Sequence, residues 1–195
     1  MVTLSCLSQH AGLLAQGTPA QATSSESLAL CLLNVFISAF QHGRRHSNAV
    51  LILPRLSLAV SLYFIELVRT RNVPARVRAG AIQVLVTLVT VTMTTTTNDG
   101  PCNARHLLQL CDEVCFSSGV TRVLRLPTVK LLGALLAVFI RKNIQAESDS
   151  VPELKRGMGL LCILAKDDVP EVSALARELL RSVGHDVIAG GLVTS

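Results

Sequence analysis

Four residues in one short stretch, Cys102, His106, Cys111 and Cys115, are of the types that bind zinc as thiolate or neutral imidazole. Their spacing is poor for a closed tetrahedral site. If residues 103–118 form a helix, Cys111 and Cys115 share a face, His106 is rotated away from them, and Cys102 precedes the helix. Core thiols facing neighbouring helices account for the same pattern, so neither a structural metal nor a cofactor is expected. His42 and His46 are separated by Gly43, Arg44 and Arg45, and the two arginines would repel a cation. The acidic pairs Asp112-Glu113 and Asp167-Asp168 read as solvated residues on a helix and in a turn, not as paired carboxylates in a cleft. No G-x-S-x-G elbow occurs, and the runs Gly157-Met158-Gly159 and Gly190-Gly191 lack the preceding strand and following lysine of a phosphate cradle. The chain is therefore expected not to be an enzyme.

The basic residues carry a different chemistry. Net charge is +5, but residues 41–80 hold seven arginines against Glu66 alone, whereas residues 146–186 hold eight acids and five bases. Arg69, Arg71, Arg76 and Arg78 crowd one expected inter-helix turn, where they could receive an acidic protein or a phosphate, or simply be solvated. Aromatic residues make up 3% of the chain and tryptophan is absent, so base-stacking platforms are not expected. One short basic cluster is also too little for a nucleic-acid footprint. The expected partner is a protein, with neither nucleic acid nor a small-molecule substrate as direct ligand.

The elements that would position these residues are helices. The chain has 195 residues, half of them hydrophobic and 16% charged, with a mean hydropathy of +0.50. Its apolar mass is Leu, Val, Ile and Ala, suited to helix-on-helix layers. A first helix over about 4–15 and a polar linker, QGTPAQATSSES, occupy the start, so residues 1–23 are set apart from a helical domain over 24–188 and a tail over 189–195. Ser24 or Ser25 is expected to cap a helix whose uncharged run Leu28–Phe40 should be buried nearly all round, ending at His42-Gly43. Five prolines, Pro54, Pro74, Pro127, Pro152 and Pro170, each open a segment with apolar residues at helical spacing. Small residues follow about two turns in, including Gly80, Gly133, Gly157, Gly159, Ala174 and Ala176, and are expected to let neighbouring helices approach closely.

Two stretches repeat the same grammar. YFIELVRTRNVPARVRAGAIQVLVTLV over 63–89 and LLCILAKDDVPEVSALARELLRSV over 160–183 each read as apolar helix, polar turn, proline and second helix. This resembles the armadillo/HEAT repeat unit, in which a Val-Arg or Val-Lys pair enters the second helix. Val77-Arg78 and Val129-Lys130 match the pair, and Val172-Ser173 keeps only the valine, at spacings of 52 and 43 residues. The second spacing falls within the ~40–47 residues of these repeats, and the Thr94–Pro101 loop lengthens the first. The resemblance implies an all-α stack of antiparallel helix pairs, an α-solenoid. It also implies a non-enzymatic scaffold that lays a peptide or protein along a groove of second helices. Arg76, Arg78, Gln83, Lys130, Arg177 and Arg181 are the expected groove or ridge residues. The tail resembles armadillo-like meiosis proteins, which implies chromosome or meiotic biology.

Two rival readings follow from hydropathy. Ala79–Asn98 is twenty uncharged residues, long enough to span a bilayer, although six threonines lie between Thr87 and Thr96. A buried solenoid helix is apolar for the same reason as a span, and membrane insertion is not expected. The high hydrophobicity also fits a terminal part or short form of a longer repeat array. Six cysteines spread through apolar stretches, no basic signal region and no Asn-x-Ser/Thr acceptor together suggest an intracellular chain, cytoplasmic or nuclear.

Overall fold

A computed structural model of the chain describes residues 19–43, 60–94, 104–116, 122–144 and 151–189. Among these residues there are seven helices and no strand. They are α1 (Pro19–Gly43), α2 (residues 60–69), α3 (Ala75–Thr94), α4 (Ala104–Phe116), α5 (Arg122–Ile144), α6 (Val151–Leu164) and α7 (Pro170–Ala189). The all-α class expected from the sequence is observed. The chain divides into two compact units, Met1–Pro101 and Cys102–Ser195. The expected helix over 4–15, Pro54, Cys102 and the tail beyond Ala189 lie outside the described residues.

In the first unit α1 packs against α3. α1 starts at Pro19, ahead of the cap expected at Ser24 or Ser25. Proline is favoured in a first turn, and the helix formers Ala20, Gln21 and Ala22 carry the helix through the serines. The expectation that Leu28–Phe40 is buried nearly all round fails. Ala29, Leu33 and Phe40 are buried, but Leu28 and Val35 are 43% and 56% exposed. The uncharged stretch of α1 is thus covered on one face only. That face meets Gly80 of α3, where a Cβ would lie 2.8 Å from Leu33 Cδ1, so glycine sets the closeness of approach. The ring of Phe36 on α1 meets the fully buried Phe64 of α2 edge-to-face at 5.6 Å, an arrangement worth about 1 kcal/mol beyond area burial.

α3 runs to Thr94 through a stretch rich in β-branched valine and threonine. Thr87, Thr90 and Thr92 donate their hydroxyls to the carbonyls of Gln83, Val86 and Leu88, at 3.0, 2.8 and 2.9 Å. Polar side chains are satisfied inside the helix itself, and its other faces are left to valine and leucine.

In the second unit α5 and α6 pack on each other, and each also packs on α4 and α7. Leu132, Leu135 and Leu136 of α5 and Leu161 of α6 are fully buried, each contributing roughly 2 kcal/mol by burial of its side chain. Glycines again fix the spacing: a Cβ on Gly133 would lie 2.9 Å from Leu179 of α7, and one on Gly157 would lie 2.7 Å from Leu136. Ala176 is buried as expected. Gly159 and Ala174 face outward instead, Gly159 with open space above it, so they take no part in helix approach.

The proline rule holds at three described positions and fails at the fourth. Pro74 immediately precedes α3, Pro152 is in the first turn of α6 and Pro170 opens α7, where a missing N–H costs nothing. Pro127 does not open a helix but lies inside α5, which begins at Arg122. The helix tolerates it near the N-terminus, and the next residue, buried Thr128, donates its hydroxyl to Leu124 O at 2.7 Å. α3 and α5 are both long and apolar enough to cross a membrane, and about half of each span is buried within the protein.

Candidate functional site

The basic cluster is built by the end of α2, a short turn and the start of α3. Thr70 closes α2 twice on Glu66 O, through its N–H at 3.0 Å and its hydroxyl at 2.8 Å. Val73 N–H then donates to Thr70 O at 3.2 Å, tightening the turn, and the Val73 side chain is buried as its anchor. Pro74 follows, and its carbonyl accepts from Arg78 N–H at 3.1 Å in the first turn of α3. A rigid turn therefore displays Arg69, Arg71, Arg76 and Arg78 from two helix ends.

These arginines have different fates. Arg78 turns back, and its Nε–H donates to Val68 O at 2.6 Å, satisfying a carbonyl at the C-terminal end of α2 that lacks an onward helical partner. Partial burial and then the nearby charge of Arg71 lower its pKa, yet it remains a cation at neutral pH. Arg69 pairs with Glu66 at 2.9 Å across one turn of α2. Arg71 and Arg76 are exposed, and among the described residues no carboxylate lies within ion-pair range of either. Gln83 is half-buried and stands two turns beyond Arg76 on the same side of α3.

Lys130, Arg177 and Arg181 belong to the other unit. Lys130 and Arg181 are exposed on α5 and α7. Arg177 repeats the behaviour of Arg78: its Nε–H donates to Ala165 O at 3.1 Å, reaching from the second helix to the end of the first. Each helix–turn–helix is thus clasped by an arginine bonded to the backbone of the preceding helix end. Of the expected groove residues, Arg78 and Arg177 are held by the chain itself.

The acidic pairs read as solvated are engaged across the second unit. Arg125 of α5 donates to both oxygens of Asp167 at 3.0 Å and to Asp168 at 2.6 Å, while Arg122 reaches Asp168 at 2.8 Å. Asp167, only 9% exposed, also accepts Val169 N–H at 2.9 Å ahead of α7. Desolvation opposes ionisation of Asp168, but its hydrogen bond with Asp167 and the contacts from Arg122 and Arg125 outweigh it and lower its pKa. Arg105 pairs with Glu153 at 2.6 Å, and Arg156 pairs with Asp112, tying α4 to α6 at two heights. Partners about forty residues apart in sequence leave no local signal, which is why composition alone assigned these acids to solvent.

The metal candidates do not converge. Cys111 is fully buried and Cys115 half-buried on α4, while His106 is exposed. Among the described residues no three His, Cys, Asp or Glu side chains are grouped for a metal. Burial pushes the Cys111 thiol strongly upward; burial and then Asp167 push Cys115 up to about 11, only partly countered by Arg125. Both environments oppose the thiolate a metal requires. Two further cysteines, Cys31 and Cys162, are exposed on α1 and α6 although both stand in apolar stretches of sequence.

No protein-family model matches the chain, and neither a curated protein nor a solved structure does.

Proposed function

We infer that this chain is a non-enzymatic interaction scaffold whose first unit receives an acidic protein or peptide at the α2–α3 turn, with Arg71 and Arg76 as the contacting cations. The observation that carries the reading is the division of labour within the cluster. Arg78 secures the backbone and Arg69 has Glu66, whereas Arg71 and Arg76 stand on a rigid turn facing solvent. Because the backbone beneath these cations is already ordered by the turn, a carboxylate need order only their side chains, which favours binding over a mobile tail of equal charge. The armadillo/HEAT arrangement of antiparallel pairs is part of this proposal, supported by the two arginine-clasped helix–turn–helix segments. So are the intracellular location and a role in chromosome biology, which rest on the sequence alone.

The test is parallel affinity capture from cells with the wild-type chain and an Arg71→Glu/Arg76→Glu variant. The reading expects a discrete set of acidic proteins on the wild type that disappears from the variant, with the melting temperature unchanged. The same set on both would refute it. A second reading, membrane insertion through α3, has the length and hydropathy of that helix in its favour. Retention of the chain in carbonate-washed membranes would support insertion, and release would remove it.

A further inference from the structure

Five glycines inside the helices divide by what surrounds them, and Gly184 near the end of α7, like Gly159, has open space above it. Gly80, Gly133 and Gly157 lie against leucines of facing helices, where a Cβ would intrude to within 3 Å. Gly159, in the middle of α6, meets nothing within 4 Å. Glycine is the poorest helix former after proline, and no contact of the second unit accounts for it here. Beyond it along α6 the outward side is apolar: Ile163 is 48% exposed and Cys162 is exposed beside it, while Arg156 on the preceding turn is paired with Asp112.

The ends of this strip are basic. Lys155 and Lys166 are exposed, and Lys166 continues the last turn of α6 through its N–H bond to Ile163 O at 3.0 Å. Three helical turns separate them, roughly 16 Å, so they project from nearly the same side. The acids along α6 and the following turn are engaged elsewhere: Glu153 with Arg105, Asp167 with Arg125, and Asp168 with Arg122 and Arg125. The strip therefore presents a cation, a flat apolar centre without a Cβ, and a second cation.

We propose that the outer side of α6 is a docking surface for an acidic amphipathic helix of a partner protein, laid over Gly159 with its carboxylates at Lys155 and Lys166. The bare glycine lets the partner backbone approach closely, the leucine-like side chains of the partner cover Cys162 and Ile163, and the lysines fix its register. This surface lies on the second unit and does not depend on the basic turn of the first.

The probe is a fluorescein-labelled, hydrocarbon-stapled helical peptide with leucines at i, i+4 and i+7 and a glutamate pair at each end, titrated by anisotropy against the full chain. Saturable binding is expected, weakened at least ten-fold by Gly159→Leu and by Lys155→Glu/Lys166→Glu, and unchanged by Arg71→Glu/Arg76→Glu. Gly159→Ala is the folding control: with open space above it, alanine should raise the melting temperature. Absence of binding, or binding that survives both Gly159→Leu and the lysine reversals, would overturn the proposal.

Discussion

In the unit Cys102–Ser195, Arg105, Arg122, Arg125 and Arg156 each lie against a carboxylate brought from another helix or turn. In the unit Met1–Pro101, Arg71 and Arg76 face solvent from an ordered turn, and Glu66 of the same unit is paired with Arg69. The same residue type is thus part of the framework in one unit and available for a partner in the other. Charge count alone cannot separate these roles. What separates them is whether a carboxylate forty residues away folds back to meet the arginine. The contrast also shows which residues can be changed without touching the fold.

The comparison is broken most severely by attacking the packing of either unit. Phe64→Ala in the first and Leu136→Ala in the second should each cost about 3 kcal/mol, because both side chains are fully buried and the vacated space is lined by fixed helices. Chemical denaturation with circular dichroism reads this loss. A next smaller effect is expected from Asp167→Ala, which removes one of the two carboxylates on Arg125 and the acceptor for Val169 N–H. It should cost about 2 kcal/mol in the same assay. Arg71→Glu/Arg76→Glu should change stability by less than about 0.5 kcal/mol, as expected of exposed residues without partners. A loss comparable to that of Asp167→Ala would erase the distinction between the units.

Acid sharpens the same contrast. The lowered pKa of Asp168 means that its contribution is present above the ordinary carboxylate value and is lost as pH falls through its folded value. Lowering the pH from about 6 to about 3 should therefore reduce the melting temperature of the wild type more than that of Arg122→Ala/Arg125→Ala. The smallest effect is one of rate. Cys31 and Cys162 should react with a thiol reagent in the native chain, Cys115 slowly, and Cys111 only after unfolding, as read by mass spectrometry.

Much of the helical layout is legible in the sequence because its signals are local. Pro74 and Pro170 mark the starts of α3 and α7, and His42-Gly43 marks the end of α1, where His42 Nδ1–H bonds Ser38 O at 2.8 Å. Gly80 and Gly157 stand out by their spacing after a proline, although what requires them is a leucine of a facing helix. The misreadings arise where a partner decides. Pro127 is carried inside α5 because a longer buried helix gains more than one lost bond costs, and α1 is open on one side because burial depends on neighbours, not on its own hydropathy. At the site, the crowding of four arginines is visible in the sequence, but the backbone bonds of Arg78 and Arg177 are not. They depend on a turn that returns the second helix to the end of the first.

The most direct measurement is an anisotropy titration of a labelled fifteen-residue polyglutamate peptide against the wild type and Arg71→Glu/Arg76→Glu in low salt, with melting temperatures recorded alongside. The account expects saturable, salt-sensitive binding to the wild type and none to an equally stable variant. Equal binding by both chains would contradict the assignment of this turn to an acidic partner.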